Sequence, residues 1–176
     1  MELQPTPIND LIVLTPSVYR DARGFFLETF RDEDARAAGL PSFVQQNHSR
    51  SARGVLRGLH FQSRRPQGKL VRVVRGAVFD VAVDLRPESP TRHRWFGLVL
   101  DDERHQQLYI PPGFAHGFLV LSALADVVYQ CTATYDPDDP SGLRWDDPTL
   151  GIPWPLEAIG GAPTLSEKDR ALPTLA

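Results

Sequence analysis

The chain has 176 residues, 41% of them hydrophobic and 23% charged, which is ordinary globular usage and argues against a disordered tail protein or a membrane span. At about 150 residues per domain, that length predicts one domain with enough chain to bury a sizeable core. Nineteen Lys and Arg against 22 Asp and Glu leave a formal charge of −3, so no general basic field exists for gripping nucleic acid, although a few local arginines could still hold one small anion.

The N-terminal stretch MELQPTPIND has no basic n-region and no apolar h-region, and so does not read as a signal peptide. Sixteen prolines and thirteen glycines then punctuate the chain, and the segments between them carry mostly period-two patterning, the mark of a β protein. Strands are predicted at 12–15 and 25–30. Residues 32–38 read as a short helix with acids in its first turn, Gly39 as its stop and Pro41 beyond. Further strands are predicted at 55–62, 70–74 and 79–86. In the last, Phe79, Val81, Val83 and Leu85 alternate with Asp80, Ala82, Asp84 and Arg86, as in a half-buried strand. The remaining strands are 95–100, 106–110, 116–121 and 126–135, with turn signals such as Gly76, Asp101-Asp102 and Pro111-Pro112-Gly113 between elements. The longest apolar stretch, 118–128, is broken by Ser122 and Asp126 and is too short to span a bilayer. Cys131 is the only cysteine, so no intramolecular disulfide can form and a reducing compartment is favoured. Residues 136–140 read as a Pro/Asp-rich surface loop, and a second short helix is expected from Ser166.

Nine or ten short strands at this spacing fit an all-β jelly roll of two packed sheets, with a lipocalin-like up-and-down barrel as the weaker fit. The expectation is one jelly-roll unit, with an N-terminal arm over about 1–50, a barrel over about 51–135 and a C-terminal segment over 136–176. It is expected in the cytoplasm, with no membrane or nucleic-acid partner.

Four features could carry chemistry: Arg57-Gly58-Leu59-His60, Gly68-Lys69, Pro112-Gly113-Phe114-Ala115-His116-Gly117-Phe118, and Tyr129. Each alone has a plainer reading, as a satisfied strand histidine, an edge-strand lysine or a core tyrosine with a hydrogen-bonded tip. On a regular strand Tyr129, Cys131, Ala133 and Tyr135 share one face. Arg57 and His60 are three apart, so they serve one site only if a bulge or twist lies between them. Ser166-Glu167-Lys168-Asp169 resembles a capping box with its acid at N3. Pro111-x-Gly113-x-x-His116 resembles the second motif of metal-binding cupins. The first motif, a His-x-His pair with a following Glu, is absent, since Gln62 stands where the second histidine would be. His48, His93 and His105 fall in predicted polar loops without ligand spacing, so no metal and no other cofactor is expected. A base, a cation and a phenol in one metal-free cavity suit deprotonation beside a carbonyl, because an imidazole removes such a proton only if the enolate oxygen is stabilised nearby. Return of the proton from the opposite face inverts the carbon.

An ordered set of segments carries a family resemblance: Asp21-Ala22-Arg23-Gly24-Phe25-Phe26-Leu27-Glu28, Gln45-Gln46-Asn47-His48-Ser49, residues 54–62, Gly68-Lys69-Leu70-Val71-Arg72-Val73, residues 80–86, Ala115-His116-Gly117-Phe118 and Leu165-Ser166-Glu167-Lys168-Asp169. From about residue 10 to 170 the chain resembles the dTDP-4-dehydrorhamnose 3,5-epimerases. The resemblance implies a cupin-type jelly roll, a homodimer and a dTDP-4-keto-6-deoxy sugar as substrate. It implies that His60 removes the C5 and C3 protons with Asp169 orienting its ring, that Tyr129 is the opposed acid, and that Lys69 stabilises the enolate at the C4 oxygen. Arg57 and His116 would line the sugar–diphosphate region, and Gln45 and Asn47 would help hold the nucleotide. Arg23, Phe26 and Glu28 would belong to an exchanged N-terminal arm reaching into the partner's site.

Two departures from the pattern stand out: the 61–67 stretch is one residue shorter than in many members, and Thr134-Tyr135 replaces a pair of tyrosines, so Tyr135 is a candidate substrate contact without an assigned role. Inversion of C3 and C5 is the expected reaction. Single-carbon inversion of a related sugar, a metal-dependent cupin enzyme and a non-catalytic nucleotide-sugar binding module are the alternatives.

Overall fold

In the computed structural model, which describes residues 1–175, the alternating apolar residues fold into two antiparallel sheets packed face to face. The strands are β1 (Glu2–Pro5), β2 (Ile12–Thr15), β3 (Val18–Asp21), β4 (Gly24–Leu27), β5 (Gln45–Ala52), β6 (Leu56–Phe61), β7 (Lys69–Arg75), β8 (Ala77–Asp84), β9 (Trp95–Asp101), β10 (Gln107–Ile110), β11 (Phe114–Val120), β12 (Leu124–Cys131) and β13 (Ser141–Gly142). Two short helices, α1 (Asp32–Ala37) and α2 (Glu167–Arg170), flank them. The larger sheet runs β1-β2-β10-β7-β12-β5 and the smaller β13-β6-β11-β8-β9, while β3 and β4 form a separate hairpin. This is a cupin-like jelly roll.

The main core lies between the sheets. Val13, Val71, Val73, Leu108, Ile110 and Val127 of the larger sheet meet Val78, Ala82, Leu100, Phe114, Phe118 and Val120 of the smaller. A second apolar layer covers the smaller sheet's outer face, where Leu143, Leu150 and Trp154 of the C-terminal segment pack on Leu56, Leu59, Val81, Val83, Ala115 and Leu119. That layer corrects the expectation of a half-buried strand over 79–86. β8 is covered on both sides, so Asp80 and Asp84 are fully buried. Asp84 is satisfied by Arg86, Ser89 and Thr91.

α1 has three acids in its first turn, the favourable end of the helix dipole. It lays Ala35 on a third cluster with Leu14, Leu40, Leu70 and Tyr109. The strand expected over 126–135 ends at Cys131, so Tyr135 reaches its position from a loop rather than from the face it would share with Tyr129. Among the described residues no helix is long and apolar enough to cross a membrane.

Candidate active site

Arg57 and His60 come to the same side of β6 because the strand carries an extra residue against β11. His60 pairs with His116 and Arg57 with Phe118, with a register shift between them. Gly58 and Gly117 make that bulge possible. A Cβ on Gly58 would lie 2.5 Å from the Gly117 Cα, and one on Gly117 2.7 Å from the Arg57 carbonyl oxygen. The bulge the spacing demanded is therefore present, and Leu56 and Leu59 turn together to the outer core.

The imidazole of His60 donates from Nε2 to Asp169 Oδ1 at 2.5 Å, leaving Nδ1 as the basic lone pair. Asp169 is brought there by α2. Its backbone N–H donates to Ser166 Oγ at 3.1 Å, and its Oδ2 accepts from the Ser166 hydroxyl at 2.9 Å. The two contacts fall on different atoms: the amide completes the cap, and the carboxylate, only 4% exposed, pairs with the histidine. Burial pulls the His60 pKa below its ordinary value and Asp169 pulls it back up, with burial the stronger. Burial thus favours the neutral ring, and the Asp169 carboxylate stands where it would stabilise a positive charge on it.

The opposite wall comes from the larger sheet. Asn47, Tyr129 and Val71 form one row across β5, β12 and β7, and Gln45, Cys131 and Lys69 form the next. Burial pushes the Tyr129 phenol up, so it stays protonated at neutral pH, and pushes the Lys69 ammonium down. The Gln45 amide donates to Asn47 Oδ1 at 3.0 Å, and Gln45 Oε1 accepts from the Tyr135 backbone N–H at 2.8 Å. These residues meet in a cleft of about 400 Å³ lined by Gln45, Asn47, His60, Lys69, Tyr129 and Tyr135, among others. Arg57 stands in an adjoining recess of about 310 Å³, beside His60 and Asp169, and its Nε–H donates to Ser51 Oγ of β5 at 3.0 Å.

The other expected residues lie elsewhere in this chain. His116 is buried one layer behind the cleft, its Nε2 within 2.9 Å of Asp80 Oδ2. Arg23 and Phe26 line a separate recess on the β3–β4 hairpin, and Glu28 accepts from Arg31 at 2.8 Å. Several contributors escaped the sequence reading. Lys168 lines both the cleft and the adjoining recess, and it was visible only as a member of the segment quoted for Asp169. Gln67 and Ser141 form part of the cleft wall and had no signal beyond their nearness to Lys69 and the 136–140 loop.

A carboxylate-paired imidazole in one cleft with a desolvated lysine and a protonated phenol can move protons on either side of a polarised carbonyl, which is the chemistry of an epimerase class of enzyme. The family model described as dTDP-4-dehydrorhamnose 3,5-epimerase matches residues 5–176, and the chain belongs to that family. The dTDP-4-dehydrorhamnose 3,5-epimerase of Methanothermobacter thermautotrophicus is 54% identical over 166 residues, covering 94% of this chain and 89% of the relative. Among solved structures, the dTDP-6-deoxy-D-glucose-3,5-epimerase of Legionella pneumophila, in complex with dTDP-4-keto-L-rhamnose, superposes with a TM-score of 0.94 at 47% identity, covering 98% of this chain and 92% of the other. A 3'-monoepimerase from Streptomyces bikiniensis, in complex with dTDP-quinovose, superposes with a TM-score of 0.89 at 37% identity, covering 97% and 86%.

Proposed function

We propose that this chain inverts C3 and C5 of dTDP-4-dehydro-6-deoxy-D-glucose to give dTDP-4-dehydro-L-rhamnose, the epimerisation step of dTDP-L-rhamnose biosynthesis. The observation that carries the reading is the His60–Asp169 pair, at 2.5 Å, in one cleft with Lys69 and Tyr129. His60 takes the proton from C5 through its free ring nitrogen, and Asp169 stabilises the imidazolium. The electron pair moves to the C4 oxygen, where the Lys69 ammonium holds the enolate. Tyr129 then protonates the carbon from the opposite face. Solvent resets both groups, and the same cycle at C3 completes the product. Inversion of both carbons is favoured over one by the identities, 54% to a 3,5-epimerase against 37% to the 3'-monoepimerase.

Arg57, Gln45, Asn47 and Tyr135 are assigned to the bound sugar nucleotide, whereas His116, buried against Asp80, lines neither the cleft nor the adjoining recess. The guanidinium of Arg57, beside His60, is suited to the diphosphate. The β3–β4 hairpin is read as an arm exchanged in a homodimer, carrying Arg23, Phe26 and Glu28 into the partner's cleft. Its support is that Tyr19, Phe25 and Phe26 are 66%, 55% and 71% exposed on an element paired with neither sheet, an uncommon concentration of apolar surface for a lone subunit. The cytoplasm is the proposed setting, since Cys131 is a buried free thiol.

His60→Ala and Tyr129→Phe test the assignment together. In deuterated water His60→Ala should stop exchange at both carbons, whereas Tyr129→Phe should allow abstraction and impair inversion. Full double inversion by Tyr129→Phe would remove Tyr129 from the acid role.

A further inference from the structure

His60 and Tyr129 stand on different sheets, His60 on β6 of the smaller and Tyr129 on β12 of the larger, next to Lys69 on β7. Two connections bridge the sheets beside the cleft: residues 62–68 run from β6 to β7, and residues 132–140 run back from β12 to β13. Their ends are neighbours, because Cys131 pairs with Lys69 and Gly142 with His60. Between them they supply Gln62, Gln67, Tyr135 and Pro140 to the cleft wall. One carboxylate ties the two crossings together. Asp139 Oδ2 accepts from the backbone N–H groups of Arg64 at 2.7 Å and Arg65 at 3.2 Å, and Oδ1 accepts from that of Ser63 at 3.1 Å. Gln62 adds a second tie, its amide donating to the Arg65 carbonyl at 2.8 Å and its oxygen accepting from the Asp136 N–H at 2.8 Å. The Arg64 and Arg65 side chains reach Asp138 and Thr134 across the same gap, but from exposed positions. Asp139 is 6% exposed and stands outside the cleft wall. Burial raises its carboxyl, and the three backbone bonds outweigh that and keep it charged at neutral pH.

We infer that Asp139 is a positioning residue that sets the distance between base and acid: by tying the two crossings together at the mouth, its carboxylate holds the His60 wall and the Tyr129 wall at a fixed spacing. The inference rests on the roles of His60 and Tyr129 proposed above, and its test separates the two. A flat enolate can take its new proton on either face. With Tyr129 in reach, the opposite face wins and the carbon inverts. If the walls part, His60 trades its proton for one from the solvent and returns that to the face it came from, so the sugar is recovered exchanged but not inverted. The clamp therefore governs the choice between inversion and return as well as the rate. A cap that only stabilises the loop would leave that choice unchanged.

Asp139→Asn keeps the size of the side chain but turns an NH2 toward at least one of the three backbone N–H groups, which loosens the clamp. The readout, in deuterated water at early conversion, is the ratio of deuterium in recovered substrate to inverted product. A smaller folded fraction lowers both amounts equally and leaves the ratio alone. In Asp139→Asn the ratio should rise by about tenfold, within the roughly hundredfold that a misplacement of about 1 Å can cost. Asp139→Ser should give the same rise and stands in if the Asn variant folds poorly. Tyr129→Phe is the control for the base and acid roles, and should raise the ratio as well. A rise in the Asp139 variants supports the inference; if Tyr129→Phe fails to match it, the clamp stands and Tyr129 loses the acid role. An unmoved ratio in a folded Asp139 variant, with a rise in Tyr129→Phe, overturns the inference alone. An unmoved ratio in every variant overturns both the inference and the reading it rests on.

Discussion

Replacing Asp169 by Asn separates the two jobs that converge on that residue. The backbone N–H that donates to Ser166 Oγ at 3.1 Å is untouched, so the cap on α2 persists. What disappears is the charge on the oxygen 2.5 Å from His60 Nε2. A hydrogen bond to a charged group contributes about 1.5–3 kcal/mol, and here it acts on an imidazolium that exists only after proton abstraction. Since about 1.4 kcal/mol corresponds to tenfold in rate, turnover should fall by about 10- to 150-fold. The new amide can also present its NH2 to Nε2, which drives the ring proton to Nδ1 and removes the base altogether, so the loss can exceed this range. Ser166→Ala is the opposite perturbation, because it removes the cap acceptor and leaves the carboxylate charged. It should cost about 0.5–2 kcal/mol of stability, a fall of a few degrees in Tm for a chain of this size. Measured side by side by NMR turnover and thermal unfolding, Asp169→Asn should show the larger loss of rate and Ser166→Ala the larger loss of stability. Turnover of Asp169→Asn within twofold of the parent, with a clear drop in Tm, would refute the dyad and leave Asp169 a structural residue.

Two further outcomes follow from the fold. If the hairpin crosses to the partner, mixing Arg23→Ala chains with His60→Ala chains leaves one intact site in each mixed dimer, so about a quarter of parental activity should return after full subunit exchange; no recovery, with mixed dimers verified by native mass spectrometry, would place arm and barrel in the same chain's site. Burial raises the Asp84 carboxyl, but Arg86, Ser89 and Thr91 outweigh it and hold it at about 2 against 3.8 in the unfolded chain. That contributes about 2 kcal/mol which is present above pH 4 and lost as pH falls toward 2. Urea unfolding of Asp84→Asn should therefore show a deficit at pH 7 that shrinks below pH 3, and a deficit independent of pH would contradict it.

The strands that were easy to see are apolar runs bounded by turn residues. β2, β7, β9 and β11 each send alternate side chains into the inter-sheet core, and their expected positions lie within two residues of the observed ones. β5 went unseen because Gln45, Asn47, Ser49 and Ser51 are polar on the inner face as well. A strand that lines a ligand cleft loses the alternation that reveals strands, so the feature that hid it is a mark of the site. β3 escaped for a related reason. Its residues are half-buried or exposed within the subunit, so no packing preference shapes their order. The pattern over 79–86 misled in a different way, since an aspartate at every fourth position looks like a solvent face. No local pattern in the strand announces that the face carrying Asp80 turns to the inter-sheet core with Val78 and Ala82, while a segment 60 or more residues later covers the Val81 and Val83 face. Asp169 lies 109 residues from His60, so only the ordered set of segments, and not any spacing, could connect them.

The central claim is that one base and one opposed acid invert two carbons beside the same carbonyl. The most direct measurement is a proton NMR time course of dTDP-4-dehydro-6-deoxy-D-glucose with the enzyme in deuterated water. Signals at both C3 and C5 should vanish as deuterium enters, and the product should carry inverted configuration at both positions. Deuterium at only one carbon, with the other proton and its configuration retained, would contradict the claim and make the chain a single-site epimerase.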